Sequence, residues 1–508
     1  MPRIKTLAAA VVRVFRDPAW CFALVGSIVA VTFAFLVPTL GGIDEGGHFM
    51  RSYQISQGTL VPHKSPLPSF DASGACVPDE LAIKAEAYSF LKYIGSSPAK
   101  ITPGAKPHSV APASEAEVNA AVRKLRPALE KALIHCGAPN SGKSFYEFTT
   151  FAWYSPVPYL PAALGVAVGR AFGWGATGLD LAGRLTQLVI VLLAFFVAIR
   201  RSPWAKWVFA AAALLPITLF LSATVTPDAM TAAAAFLVVS SALRMTKVRM
   251  STRAMVGEAL VFGVLLGLCK PTYWIVAFVY LIPMFARSRE AAWSREEQGR
   301  SRWRDPRWLL LLPIAASVGV SELWQSVQRH LFICDVRYFN IVADPPKQVH
   351  LLLTQPWTFV GRVSQMIPTN GPTWVHQMAG ADSSITGTWP TVVAALVMVG
   401  FLALAYQRAP DEDAPDLPAK RRIGLGLLVV AALLLMSAGF VIFCSAPDSF
   451  FFFFFGARFV IALIPLALLA AYPPSRWGTW NLRVPFPPAL ALVPFYAVFF
   501  TVTAHTLH

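Results

Sequence analysis

Two acids, a histidine and an arginine fall within eight residues in Asp44-Glu45-Gly46-Gly47-His48-Phe49-Met50-Arg51, with Ser52-Tyr53-Gln54 following. If this stretch is helical from Asp44, then Asp44, His48 and Arg51 share one face. That suits a general base held by a cation, flanked by glycines that let a substrate approach the backbone. It equally suits an acidic cap that ends an apolar helix, and spacing alone leaves both open. Asp228, in Thr224-Val225-Thr226-Pro227-Asp228-Ala229, stands at a turn between apolar blocks, either as a helix-starting acid favoured by the macrodipole or as a site residue. Lys270 precedes Pro271-Thr272-Tyr273-Trp274, and Arg458 lies in Gly456-Ala457-Arg458-Phe459. Two such cations suit an anionic lipid head group or a phosphate leaving group. The alternative is snorkelling to ordinary phospholipid.

The elements that must position these residues are apolar. Of 508 residues 56% are hydrophobic and only 14% charged, and the mean hydropathy is +0.54. A soluble domain carries about 25% charged residues. The apolar residues come in blocks close to the length that crosses a bilayer, so the chain is expected to be an all-α polytopic membrane protein. The net charge of +16 does not mark a nucleic-acid binder, because the basic residues sit in short clusters between apolar blocks.

Those clusters set an expected topology. Arg3, Lys5, Arg13 and Arg16 precede a first block from 18 to 40, so the N-terminus is expected in the cytoplasm, with the block retained as a signal anchor. Further spans are expected at 178–199, 207–223, 228–243, 254–269, 272–286, 308–327, 390–406, 423–444, 457–472 and 486–504, about eleven in all. Inward ends then hold Arg200, Arg201 and Lys206; Arg244, Lys247, Arg249 and Arg253; the arginines from Arg287 to Arg307; Arg408, Lys420, Arg421 and Arg422; and Arg476 with Arg483. The proline-rich stretch from Tyr154 to Arg170 is excluded as a span. Counting it would invert every later loop, and its prolines remove backbone donors that hydrocarbon cannot replace. It is expected to be interfacial or re-entrant.

The chain is thus expected to divide into a cytoplasmic N-terminus with first span (1–40), an outer loop domain (41–177), spans two to seven (178–327), a second outer loop (328–389) and spans eight to eleven (390–508). In the outer loop, Ser114 with Glu117 forms a capping-box pattern before Val118, Val122, Leu125, Leu129 and Leu133, although Pro127 opposes a continuous helix. Cys76 and Cys136 are the two cysteines of this loop and are expected to pair, while Cys21, Cys269 and Cys444 read as small apolar residues. The run Phe450 to Phe455 reads as apolar bulk at a membrane boundary. Asp411-Glu412-Asp413 falls on the cytoplasmic side and reads as a solvated loop; His330, His350, His376, His505 and His508 show no ligand spacing, and no phosphate-binding Gly-rich loop is present.

An Asp-Glu pair just after the first span, a large first outer loop returning through a proline-rich apolar stretch, and about eleven spans resemble the GT-C superfamily of membrane glycosyltransferases. Asp44-Glu45-Gly46-Gly47-His48-Phe49 with Tyr53-Gln54, Tyr154-Ser155-Pro156-Val157-Pro158-Tyr159, Ser222 to Asp228, Lys270-Pro271 and Gly456-Ala457-Arg458-Phe459 look like a bacterial membrane family called domain-of-unknown-function family 2142, over about residues 20 to 470. The GT-C resemblance implies sugar transfer from a polyprenyl-phosphate carrier to a glycan or lipid acceptor on the non-cytoplasmic face. Carried onto these motifs, it makes Asp44 the general base, Glu45 or His48 its orienting partner, and Lys270 and Arg458 the cations that neutralise the departing phosphate. Asp228 would hold sugar hydroxyls or pair with a cation, and Arg51 would help to bind the phosphate. No cofactor is expected, and a divalent metal is not favoured, since no outer acidic pair beyond Asp44-Glu45 stands out. The bacterial inner membrane is the expected location. A transporter or flippase for lipid-linked sugars, or a non-catalytic accessory protein, would use the same charges differently; the first should show inverted repeats, and in the second Asp44 would be dispensable.

Overall fold

The computed structural model describes residues 11–67, 72–94, 114–138, 141–285, 306–328, 344–380, 389–409, 412, 417–450, 456–472 and 488–507. The first apolar block folds as helix α1 (Pro18–Leu36). The Asp17 carboxylate caps it by accepting from the Ala19 and Trp20 amides, and Pro18 fills the first turn, where an amide has no intrahelical partner. Helix α2 (Glu45–Ser56) then leads into a small antiparallel sheet of β1 (His63–Lys64), β2 (Ser73–Pro78), β3 (Ile134–His135) and β4 (Lys143–Glu147), in the spatial order β1-β2-β4-β3. Helices α3 (Asp79–Ile94) and α4 (Glu115–Ala132) are inserted between β2 and β3. Helical periodicity does not disclose this sheet, so the fold is mostly rather than wholly helical. The β2–β4 crossing depends on Gly74, where a Cβ would lie 2.0 Å from the Tyr146 carbonyl oxygen.

The capping box of α4 forms as expected. Ser114 Oγ accepts the Glu117 amide, the Glu117 carboxylate accepts the Ser114 amide, and Pro127 sits inside the helix without ending it. Cys76 and Cys136 form a disulfide with a Cα separation of 6.1 Å, joining β2 to the residue after β3. Cys21 and Cys269 are free and buried, as expected. Cys444 is not the plain apolar residue expected of it. It is disulfide-bonded, at the very end of its helix, where the chain leaves the apolar region.

The proline-rich stretch becomes α5 (Leu160–Ala171), too short to cross a bilayer. It runs antiparallel along α6 (Ala176–Arg201), so close that a Cβ on Gly165 would come within 2.2 Å of the Ala182 carbonyl oxygen, while Leu160, Leu164 and Val168 stay exposed on its other face. The block expected as one span at 207–223 is broken into α7 (Lys206–Ala213) and α8 (Pro216–Ser222). Pro216 forces Leu215 out of the helical region, to ψ 137°. A break buried in an apolar core must still satisfy its carbonyls. The Thr218 hydroxyl donates to Ala212 O at 2.9 Å, and the Tyr496 hydroxyl donates to Leu214 O.

Helix α9 (Pro227–Lys247) runs through the centre, buried along nearly its whole length. Around it lie α10 (Thr252–Gly267), α11 (Tyr273–Met284), α12 (Pro306–Gln328), α13 (Pro345–Thr354), α14 (Pro356–Met378), α15 (Thr391–Ala405), α16 (Ala419–Cys444), α17 (Ile461–Ala470) and α18 (Pro488–Thr503). Each of the eleven expected blocks carries helix. Among the described residues, five helices (α1, α6, α9, α12 and α16) are long and apolar enough to cross a membrane, and α11, α15, α17 and α18 are shorter apolar helices. One end of the bundle is basic: Arg201 at the end of α6 and Arg244 near the end of α9 both pair with Glu258 of α10, at 2.5 and 2.8 Å, and Arg200 pairs with Asp17 at 3.3 Å. The phenylalanines 451–455, the arginines from 287 to 304, Arg476, Arg483, Asp411, Asp413, His330 and His508 lie outside the described residues.

Thiol tagging of denatured, unreduced protein should label Cys21 and Cys269 and leave Cys76, Cys136 and Cys444 unlabelled until reductant is added. Peptide mapping that finds Cys76 and Cys136 tagged without reduction overturns the pairing.

Candidate active site

The turn between α1 and α2 is held at almost every residue by groups from distant segments. Arg184 of α6 is its hub. Its guanidinium meets Glu45 in two parallel bonds, Nε to Oε1 at 2.8 Å and Nη2 to Oε2 at 2.6 Å. It also donates to the carbonyls of Val37 at 2.7 Å, Pro38 at 2.7 Å and Ala34 at 3.2 Å, and pairs with Asp180 one turn away at 3.0 Å. Glu45 accepts two further bonds, from the amides of Gly42 at 2.6 Å and Val225 at 2.8 Å. The Thr39 amide donates to Glu115, the Leu40 amide to Asp180, and the Tyr88 hydroxyl to the Gly41 carbonyl. Gly42 must lack a side chain, since a Cβ would stand 2.8 Å from Thr224 and 2.9 Å from Glu45 Oε2. The chain leaves this clamp through Asp44, in the left-handed region at φ 56°.

Asp44 then meets Arg458, Oδ2 to Nη1 at 2.6 Å. Beside them is a second pair, Lys270 with Asp228, both nearly inaccessible. Asp228 also accepts from the Thr226 hydroxyl at 3.0 Å; Thr226 caps α9 and Pro227 starts it, which puts the acid in the first turn. Aromatic faces line the cations: Lys270 Nζ lies 5.3 Å from the Tyr154 ring centre and 4.7 Å from that of Phe459, and Arg458 lies 4.9 Å from Phe459. Backbone anchors set these positions. The Ser155 hydroxyl donates to Leu268 O, Tyr273 OH donates to Phe459 O at 2.6 Å, and Gln377 of α14 accepts the Ala457 amide at 2.7 Å.

His48 packs behind the pairs, its ring 4.3 Å from that of Phe151 and its Nδ1 2.8 Å from the Tyr159 hydroxyl. Gly47 makes room for Phe151, which a Cβ would approach to 2.1 Å. Burial pulls the His48 pKa down to about 3 against the opposing pull of Asp44 and Asp228, with Lys270 and Arg458 adding to the depression. The ring is therefore neutral at physiological pH.

Five of the residues singled out in the sequence converge: Asp44, His48, Asp228, Lys270 and Arg458. Glu45 points the other way, into the Arg184 clamp, where it positions Asp44 from behind. Arg51 does not join the cluster. It is fully buried and donates to the Gln54 side chain and to Leu60 O at 2.7 Å, holding the turn after α2. Sequence reasoning missed Arg184 and Asp180, although an acid and an arginine four residues apart in an apolar helix are a signal in themselves. Tyr154 and Tyr159 also line the site, and as uncharged aromatics in an apolar chain they give no such signal. Of the residues set aside, Glu412 accepts the Lys206 amide at 2.6 Å, and His376 lies 3.1 Å from the Thr391 hydroxyl. Two carboxylates, two cations and a neutral imidazole between aromatic walls can take up a proton, hold an anion and shelter both from water.

Removing one member of a buried ion pair costs about 3 to 5 kcal/mol, because the partner is left charged without compensation. Arg184→Leu and Glu45→Leu should each destabilise the protein by about that much in detergent melts, and the double substitution by clearly less than the sum. His48 gives a pH signature. Its folded pKa lies below the ordinary imidazole value of 6.5, so its contribution to stability is complete above that value and is lost as pH falls towards about 3. Melts from pH 7.5 to 5 should fall less steeply for His48→Phe than for the wild type.

A family described as "Predicted membrane protein (DUF2142)" matches residues 27–467, a range that takes in all five clustered side chains and the Arg184 clamp. No curated protein and no solved structure matches the chain. Since the match covers most of its length, the chain belongs to this family of membrane proteins.

Proposed function

We propose that the chain is a membrane glycosyltransferase of GT-C type, moving a sugar from a polyprenyl-phosphate carrier to a hydroxyl of an envelope glycan or lipid on the non-cytoplasmic face. The observation that carries this proposal is the convergence of Asp44, His48, Asp228, Lys270 and Arg458 from separate segments into one compact set of paired charges. Placement supports it too. Asp228 starts α9 and Arg244 with Lys247 ends it, so the set lies at the opposite end of the bundle from the basic cluster. The positive-inside rule assigns that basic end to the cytoplasm and the site to the other face.

In this reaction the acceptor oxygen attacks the anomeric carbon from the side opposite the phosphate. The bond from that carbon to the phosphate oxygen breaks, the acceptor proton passes to the Asp44 carboxylate, and the phosphate leaves on its carrier with the bonding pair. The anomeric centre inverts. Lys270 and Arg458 stabilise the charge that grows on the departing phosphate, in a largely buried setting where water screens it less than in bulk. Neutral His48, fixed by Tyr159, packs beside the charged pairs without competing for the proton. No cofactor enters this scheme.

A deletion strain complemented with wild type, Asp44→Asn or Lys270→Gln at matched expression tests the proposal. Mass spectrometry of envelope glycans and polyprenyl-linked sugars should show a glycan lost on deletion and restored by wild type. Asp44→Asn should lower transfer on the order of 10² to 10⁴, and Lys270→Gln on the order of 10² to 10³. Full restoration by Asp44→Asn removes catalysis from Asp44 and favours a transporter or accessory role.

A further inference from the structure

The group assigned the proton and a group assigned the phosphate are bound to each other. Asp44 and Arg458 face one another at 2.6 Å, and in that state each occupies what the other would offer a substrate. The neighbouring pair differs in access: the side chains of Lys270 and Asp228 are 4% and 2% exposed, against 18% for Arg458 and 26% for Asp44. An arriving anion therefore reaches the Arg458 pair first, with Lys270 deeper behind it. Asp44 starts α2 without a side-chain bond to the helix amides, so leaving Arg458 breaks no cap.

We propose that this contact is a latch, opened by the phosphate of the first substrate, which takes Arg458 from Asp44 and sets an anion beside the base in place of that cation. The proposal rests on the glycosyltransferase function and adds an order to it: the phosphate-bearing donor binds first, and the acceptor meets a competent base only afterwards. A guanidinium holds a phosphate in the same forked geometry as a carboxylate, so the exchange needs no new partner for Arg458. A carboxylate beside a guanidinium is a weak proton acceptor, and one beside an anion is a stronger one. Binding of the donor thus switches the base on, and without donor the site does not deprotonate an acceptor or water.

The test reads the reactivity of Asp44 directly. Purified full-length protein in detergent is treated with a water-soluble carbodiimide and glycine ethyl ester, alone, with geranyl phosphate or with geraniol, and coupling at Asp44 is measured by peptide mass spectrometry. Geranyl phosphate should raise coupling on the order of tenfold, since coupling needs the protonated acid, and geraniol should not. Arg458→Gln should couple more strongly than the wild type without ligand and lose the response, while Arg458→Lys, which keeps the charge but not the fork, should keep the low ligand-free coupling and give a smaller rise with geranyl phosphate. An intact Cys76–Cys136 disulfide and monodisperse elution establish that each variant is folded. If equilibrium dialysis shows geranyl phosphate bound while Asp44 coupling stays unchanged, the latch is wrong and the proposed transfer reaction stands. If geranyl phosphate does not bind, the phosphate site is wrong and the latch falls with it.

Discussion

The structure depends on one buried contact, the forked pair of Arg184 and Glu45. A guanidinium with five donors and a carboxylate with four acceptor positions can organise far more backbone than any apolar contact of the same size. Here they do so at the junction of α1, α2, α6 and the turn before α9. Burying such a pair contributes little net stability compared with an apolar replacement. What it supplies is direction: the donors of Arg184 and the oxygens of Glu45 are all engaged by fixed backbone and side-chain groups, which holds the turn ending at Asp44 in one conformation.

The layout follows from a division of labour along the helices. Apolar residues make the lengths of α1, α6, α9, α12 and α16 interchangeable with lipid, while the polar chemistry gathers at helix ends and breaks. Short 3₁₀ turns, a left-handed Asp44 and a left-handed Thr272 all sit where a side chain must be aimed across the bundle. Regular helix would carry these residues past one another. Irregular backbone brings them together, and it survives because neighbouring side chains satisfy the amides and carbonyls it releases.

Much of this was legible in the sequence, for physical reasons. Charge in an apolar chain is expensive and therefore conspicuous, which is why Asp44, His48, Asp228, Lys270 and Arg458 stood out before any geometry was known. The exclusion of the 154–170 stretch followed from its prolines and from the sign of the flanking loops. Less visible was direction within a motif. Asp44 and Glu45 are adjacent, and nothing in their spacing says that one faces Arg458 and the other Arg184, because that choice is made by the left-handed turn at Asp44. Arg51 looked like a site residue from helical periodicity, yet a neighbouring glutamine and a loop carbonyl claim it. The sheet was invisible because its strands are only two to six residues long, below the length at which alternation can be read.

The break at Pro216 ties distant parts of the chain together. The carbonyl of Leu214, released from its helix, is met by the hydroxyl of Tyr496 on α18, the last helix described. The core laid down early in the chain is thus left with an open backbone oxygen until α18 arrives. During synthesis, residues 206–222 can dock before that oxygen is met, and α18 acts as the stopper that closes the break.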